Sequence, residues 1–336
     1  MPDAIGVIGA GAWGTALAKI LAEKGEPVTL WCHGEDTLRT LSETRENRAY
    51  LPNVLLPFGI EFTRSLGRAT EKKTLIVCAL PSHAVREVFS RIAWSALSPR
   101  AVIVCGTKGL EEESLFTMGE LLADIFGPER KERLAFLSGP TFALEVARQL
   151  PAAATVAAYD ERVARSIQEL LSTESLRLYT SSDVVGVQLG GVVKNVIAIA
   201  AGISDGLGLG LNARAALITR GLAEMTRLAA RMGADPLTLA GLPGLGDLIL
   251  TCTGDLSRNR AVGLQIAAGK RLTEITAATR AVAEGVRNTR SVRLLAERLK
   301  VDMPIVEQMY EVMYAGKAPA AAVRDLMQRS LKPETA

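Results

Sequence analysis

Histidine is nearly absent: the 336-residue chain carries two, His33 and His83. Its four cysteines, Cys32, Cys78, Cys105 and Cys252, never form a C-x-x-C pair. Zinc and related ions are held by Cys and His at short spacings, so metal catalysis has almost no raw material here and no metal site is expected. A proton donor, if one is needed, must come from Lys, Asp, Glu or Tyr. Charge of one sign is also lacking. The 39 Lys and Arg stand against 36 Asp and Glu, a formal net charge of +3 without the basic stripe of a nucleic-acid surface, so no nucleic-acid partner is expected. The opening residues Met1-Pro2-Asp3-Ala4 run straight into an apolar stretch without the regions of a signal peptide, and a cytoplasmic location is the expectation. No repeat or low-complexity segment is present.

What the chain does have is apolar content, 48% hydrophobic against 22% charged residues, enough for a sizeable core. At about 150 residues per domain, its length predicts two domains. Short apolar runs at 4–8, 27–31, 75–80, 101–105, 134–137, 155–158 and 176–179 lack strict polar alternation, the pattern of strands covered on both faces. Helical patterns at 15–24 and 160–172 lie among them. This alternation predicts an α/β domain over residues 1–181, a doubly wound parallel sheet with helices on both sides. Beyond Ser181, helices at 184–203, 213–232, 258–268, 284–299 and 305–314 predict an all-helical domain over 182–336, the first helix capped by Ser182 or Asp183. The 184–203 stretch has only Gln188, Lys194 and Asn195 as polar side chains and is long enough to cross a bilayer. An ammonium at mid-membrane costs about 2.5–3.5 kcal/mol, so a helix buried in the second domain is the better account and no membrane span is expected.

Directly after the first strand comes Gly9-Ala10-Gly11-Ala12-Trp13-Gly14, a G-x-G-x-x-G that opens a helix. In this setting it reads as a dinucleotide fingerprint: Gly9 for the tight turn, Gly11 for close approach of a pyrophosphate, Gly14 for helix–strand packing. The helix N-terminus adds amide donors and partial positive charge. A site specific for NAD places an acid at the end of the second strand, about 20 residues on. That stretch is Leu30-Trp31-Cys32-His33-Gly34, with no acid until Glu35. Without that carboxylate a 2′-phosphate is not repelled, and NADPH is admissible. Arg45 and Arg48 are candidates to reach such a phosphate, against the plainer role of solvated surface charge.

Ligands of doubly wound sheets bind beyond the carboxyl ends of the strands. Those ends carry Pro81-Ser82-His83, Gly106-Thr107-Lys108-Gly109 and Ser138-Gly139-Pro140-Thr141, the last of which reads equally well as a capping turn. Lys194 stands in the low-polarity helix. Desolvation would lower its pKa toward neutrality, where lysine becomes a useful acid/base; the alternative is a lysine snorkelling to the surface. Gly190 and Gly191, one turn earlier, would let another backbone or a ligand come near. Asp247, after Pro243-Gly244-Leu245-Gly246, offers a partner or only a helix cap, and Thr251 shares its face if the segment is helical. Ser257-Arg258-Asn259-Arg260 brings hydroxyl, guanidinium and carboxamide groups to a helix start, the ingredients of a phosphate or carboxylate clamp. Cations oppose the dipole there, which points to an anion between the two arginines.

Gly9 to Gly14, Thr107-Lys108-Gly109, Ser138-Gly139-Pro140-Thr141-Phe142, Gly186-Val187-Gln188-Leu189-Gly190-Gly191 with Lys194-Asn195, Gly244-Leu245-Gly246-Asp247, Ser257-Arg258-Asn259 and Glu284-Gly285-Val286-Arg287-Asn288 follow one another in this order. In this the chain resembles bacterial NAD(P)-dependent glycerol-3-phosphate dehydrogenases over nearly its whole length. The resemblance implies a Rossmann-type N-terminal domain and a helical domain like the C-terminal one of 6-phosphogluconate dehydrogenase. It implies NADPH or NADH as cofactor, dihydroxyacetone phosphate and glycerol 3-phosphate as substrate pair, a supply of glycerophospholipid synthesis, and a homodimer. Lys194 is then the proton donor and acceptor beside Asp247, while Lys108, Gly139, Thr141, Asn195, Thr251, Ser257, Arg258 and Asn259 hold substrate. Cofactor contacts are implied at Gly9, Gly11, Ala12, Trp13, Gly14, His33, Tyr50, Lys108, Ala143, Arg258, Val282 and Glu284. Ala12 departs from the pattern, since many relatives carry serine there. Two other readings stand beside this one. A β-hydroxyacid dehydrogenase of the same architecture would hold a carboxylate at Arg258-Asn259, and a catalytically silent dinucleotide sensor would leave Lys108, Lys194 and Asp247 coinciding without reason.

Overall fold

The computed structural model describes residues 4–277, 283–331 and 333–334; Val282 lies outside them. Eight strands form one sheet: β1 (Ile5–Ile8), β2 (Val28–Trp31), β3 (Ile60–Thr63), β4 (Leu75–Cys78), β5 (Val102–Cys105), β6 (Leu134–Ser138), β7 (Ala152–Ala158) and β8 (Leu176–Ser181). Their order is β8-β7-β6-β5-β4-β1-β2-β3, which contains the 3-2-1-4-5-6 arrangement of a doubly wound dinucleotide fold. The crevice between β1 and β4, where the winding reverses, is where such folds place their ligand.

The sheet is not wholly parallel as the sequence suggests. β7 runs antiparallel to β6, with Phe136 opposite Ala157, and β8 then pairs parallel to β7. β7 also begins earlier than its apolar pattern, taking in Ala152, Ala153 and Ala154. Alanine is a poor strand former, and pairing with β8 overrides that preference. β3 carries no signature of a covered strand. It is the edge of the sheet, Ile60-Glu61-Phe62-Thr63, with Glu61 exposed.

After Ser181 the described residues form helices. α1 (Ala12–Glu23), α2 (Glu35–Thr44) and α3 (Ser82–Phe89) belong to the sheet half; α4 (Val184–Gly206), α5 (Gly210–Arg231), α6 (Asp247–Thr253), α7 (Arg258–Ala267), α8 (Glu284–Leu299) and α9 (Pro304–Tyr314) follow. The Asp183 side chain caps α4 by accepting from Gly186 N–H at 2.8 Å. The apolar window of α4 is 94% buried within the protein, so its composition reflects a core and not a bilayer. Val192, Val193, Val196, Ile197, Ile199 and Ile203 lie in that core, each contributing about 1.5–3 kcal/mol. Glycines bring α4 and α7 into backbone contact: a Cβ on Gly263 would stand 2.1 Å from the Ile199 carbonyl, and one on Gly202 2.1 Å from the Arg260 carbonyl. That crossing sets Asn195 on α4 against Asn259 on α7.

Candidate active site

The glycine loop between β1 and α1 is shaped as its sequence predicts. Gly9 has φ +118°, and a Cβ there would meet the Ala79 carbonyl oxygen at 2.6 Å. Gly14 packs on the Gly9 carbonyl, where a Cβ would stand 2.0 Å away, while a Cβ on Gly11 would meet nothing within 4 Å. The loop is thus tight below and open above, and its free face is the N-terminus of α1. A pyrophosphate fits that cradle. Asn47 holds the loop from the side, donating to the Ala10 carbonyl at 2.8 Å and Thr15 Oγ1 at 2.7 Å. No spacing in the sequence pointed to Asn47, because it reaches the loop only through the fold. Ala12, Trp13 and Ala143 meet around Ala16 and Ala147, and the Trp13 indole N–H is buried against Gly106 without a hydrogen-bond partner among the described residues.

At the other end of the crevice three cationic and anionic side chains converge. Lys194 reaches down from α4 to the Asp247 carboxylate and donates to Thr251 Oγ1 at 2.8 Å. Lys108, from the loop after β5, donates to the second oxygen of Asp247 at 2.6 Å and to the Gly139 carbonyl at 3.2 Å. Thr251 in turn donates to the Asp247 carbonyl at 2.6 Å, which fixes the face that both residues share on α6. A π-helical turn over Leu242–Gly246 leads into α6, and Asp247 continues the helix with its side chain turned inward; it is not a cap. Gly190 and Gly191 admit these partners: a Cβ on Gly190 would stand 2.3 Å from the Pro243 carbonyl, and one on Gly191 3.2 Å from Lys108 Cγ.

Asp247 is 1% exposed and Lys194 6%. Burial lowers the Lys194 pKa to about 8, with Asp247 opposing and Lys108 adding to the shift. Burial would raise Asp247, but the two ammonium groups outweigh it and hold the carboxyl below its usual range. Lysine is therefore poised near neutrality while its partner stays ionised.

A second chain of bonds runs beside this cluster. Asn259 donates to Asn195 Oδ1 at 2.8 Å and accepts from Gly285 N–H at 3.0 Å, and Asn195 donates to the Gly191 carbonyl at 3.1 Å. Ser257 caps α7 by accepting from Arg260 N–H. Arg260 itself pairs with Asp205 at 2.8 Å and Asp255 at 3.0 Å, so the expected anion between two arginines has a simpler explanation; Arg258 alone stays exposed. Thr141 donates to the Gly139 carbonyl at 3.1 Å. Glu284, at the start of α8, accepts from Ser82 N–H at 3.0 Å and Ser82 Oγ at 2.8 Å, joining the helical half to α3. Burial raises its pKa, with Ser82 and Arg258 opposing. Asn288, the last residue of the Glu284–Asn288 motif, donates to the carbonyls of Lys108 at 3.3 Å and Val192 at 3.2 Å and so ties α8 to α4 and to the loop after β5.

The other candidates lie farther out. Tyr50 is half-buried, its N–H on the Asn47 carbonyl, and His33 is exposed after β2. His83 is exposed on α3. Arg45 is not free to meet a phosphate. Its guanidinium donates to the carbonyls of Leu56, Pro57 and Ile60 and stacks over Phe58 and Phe62, while Arg48 pairs with Glu46 at 3.1 Å.

The strand order and glycine loop define a dinucleotide-binding protein of the Rossmann class, here with a helical half that carries a buried lysine. Residues 4–164 match the family model described as the NAD-dependent glycerol-3-phosphate dehydrogenase N-terminus, and residues 183–324 match the C-terminus of the same family. The chain belongs to the NAD-dependent glycerol-3-phosphate dehydrogenase family. It is 53% identical over 334 residues to the NAD(P)+ glycerol-3-phosphate dehydrogenase of a Geobacter species, covering 99% of each chain. To that of Anaeromyxobacter dehalogenans it is 53% identical over 328 residues, covering 98% of each. The crystal structure of glycerol-3-phosphate dehydrogenase from Coxiella burnetii superposes with a TM-score of 0.92 at 40% identity, covering 97% of this chain and 99% of that one.

Proposed function

We propose that the chain catalyses the reversible NAD(P)H-dependent reduction of dihydroxyacetone phosphate to sn-glycerol 3-phosphate, with Lys194 as the proton donor. The observation that carries this reading is the buried Lys194, paired with Asp247 and lowered to about 8, beside the loops that leave the carboxyl ends of β5 and β6. The nicotinamide, when bound, supplies the hydride. Lys194 as ammonium stabilises the alkoxide that develops on the substrate and gives it a proton. Asp247 holds Lys194 in line, and Thr251 fixes one of its N–H directions. Lys108 adds positive charge at the same oxygen. Arg258, Ser257, Asn259 and the N–H groups of the first turn of α7 are assigned to the phosphate, with Gly139, Thr141 and Asn195 assigned to the rest of the substrate. Gly9, Gly11, Ala12, Trp13, Gly14, His33, Tyr50, Ala143, Val282 and Glu284 are assigned to the cofactor. Two linked domains, 1–181 and 182–336, share the site, and binding substrate and dinucleotide across them supplies orientation. The four cysteines, all buried and unpaired, support a cytoplasmic location. A homodimer and a role in phospholipid supply complete the proposal.

The direct test is oxidation of NADPH or NADH on addition of dihydroxyacetone phosphate; no turnover with either nucleotide refutes the reading. The pH profile tests the lysine. Reduction needs protonated Lys194 and oxidation needs the free amine. Hence kcat/KM for reduction falls as pH rises through about 8, while kcat/KM for oxidation of glycerol 3-phosphate rises through the same value. Profiles that move together, or that are flat across this range, exclude Lys194.

A further inference from the structure

Of the two arginines that the sequence offered for a 2′-phosphate, Arg45 is taken up by three backbone carbonyls and Arg48 by Glu46, and a third, also paired with a single acid, stands where neither composition nor spacing drew attention. β3 lies beside β2 at the edge of the sheet, in register from Val28 opposite Ile60 to Trp31 opposite Thr63. The carboxyl ends of both strands therefore open at one level, and the residue after β3 is Arg64. Two bonds fix it there. Cys32 N–H donates to the Thr63 carbonyl at 2.8 Å, and the Trp31 indole N–H donates to the Arg64 carbonyl at 3.0 Å. His33 follows on the neighbouring strand, its ring 5.8 Å from that of Trp31.

The Arg64 guanidinium donates to the Glu35 carboxylate at 2.7 Å. Glu35 is the first residue of α2 and the first acid after β2, four residues beyond the strand's last, so its carboxylate stands just past the strand end at which this class of fold reads the ribose. Both side chains are well exposed, 49% and 76%, so solvent screens the pair and little opposes its opening. A phosphate dianion, by contrast, offers a guanidinium two parallel hydrogen bonds.

We propose that Arg64 is the residue that receives the 2′-phosphate of NADP(H), and that the Glu35–Arg64 pair lets one site take either nucleotide. With NADP(H), Arg64 turns from Glu35 to the phosphate, and the carboxylate swings into solvent. With NAD(H), the pair stays closed and Glu35 accepts the 2′-hydroxyl. This rests on the dinucleotide reading above and adds the residue that sorts its two cofactors.

Binding separates the two ideas without relying on turnover. Dissociation constants for NADP+ and NAD+, and thermal shifts with adenosine 2′,5′-bisphosphate and with AMP as probes, are measured on the full chain and two variants. In Arg64→Ala the ratio of the NADP+ to the NAD+ constant rises about 10- to 100-fold, the scale of one charge-assisted bidentate contact. The stabilisation by adenosine 2′,5′-bisphosphate falls toward that by AMP. Arg64→Lys, which keeps charge without the fork, recovers part of the loss. Glu35→Gln removes the competing carboxylate and tightens NADP+. An unchanged ratio in Arg64→Ala, or weaker NADP+ binding in Glu35→Gln, overturns the proposal. If the wild-type chain binds neither nucleotide, the dinucleotide reading itself falls.

Discussion

Replacing Lys194 by methionine lowers kcat for dihydroxyacetone phosphate reduction by roughly 10³-fold or more, the combined loss of a general acid and of charge at the developing oxyanion. Methionine keeps the unbranched apolar stem of lysine and lacks only its terminal ammonium, so the packing of α4 is retained. Asp247 keeps its bond to Lys108 and is not stranded. Cofactor affinity stays close to that of the wild type, because the glycine loop and α1 lie at the other end of the crevice. Single-turnover rates separate this from a binding defect: hydride transfer itself slows, and saturating substrate does not restore it. A variant with wild-type kcat would remove Lys194 from the chemistry.

The largest stability effect belongs to the partner. Asp247→Asn leaves two ammonium groups, Lys108 and Lys194, sharing a site with no carboxylate, and breaking a buried pair in this way costs about 3–5 kcal/mol. The melting temperature drops by on the order of 10 °C. The pH dependence has a definite sign. In the wild type, Lys194 has a folded pKa of about 8, below its ordinary value of 10.5. The unfolded chain therefore holds the extra proton between these values, and the penalty for the buried charge, present in full below pH 8, is relieved as pH rises toward 10.5. Without Asp247 the folded pKa moves lower still, so relief begins at lower pH and the deficit against wild type shrinks as the solution becomes more alkaline. A deficit that is constant with pH would mean that Asp247 stabilises by packing alone. Activity of this variant falls as well, since the Lys194 pKa moves further down, a smaller share of it is protonated at a given pH, and its side chain is free to turn.

Much of this site was legible because its residues sit at structural punctuation. Gly9, Gly11 and Gly14 follow a strand and open a helix, Lys108 follows another strand, and Lys194 is the one charge in the apolar stretch 184–203; each position has a local cause that periodicity exposes. Asn47, Asn288 and Arg64 have no such cause. Asn47 lies in a two-residue strand, and by spacing alone Asn288, though it ends the Glu284–Asn288 motif, looks like any polar residue on an amphipathic helix. Their importance comes from distance in sequence closed by the sheet order and by the crossing of α8 over the Lys108 loop, neither of which a linear pattern encodes. The same limit explains β3 and the antiparallel β7. An edge strand with a solvated face and an alanine-rich strand both have weak local preference, and pairing decides them. Arg45 and Arg260 erred in the opposite direction: their charge suggested a ligand, while nearby carbonyls and Asp205 had already satisfied them.

The four buried thiols give the molecule an internal clock. Burial pushes Cys32 and Cys252 up to about 12, and only a thiolate reacts readily with a disulfide reagent, so these two are silent toward such reagents in the native chain; Cys78, which burial would raise but hydrogen bonds with Cys105 and Thr107 bring below its ordinary value, is shielded by its burial alone. Labelling then proceeds at the rate of opening. Cys32, Cys78 and Cys105 lie in or just after strands of the sheet, whereas Cys252 lies on α6 one position from Thr251. The order in which they are labelled tells which half of the chain loosens first, and occupancy of the crevice between the halves slows whichever one the ligand braces.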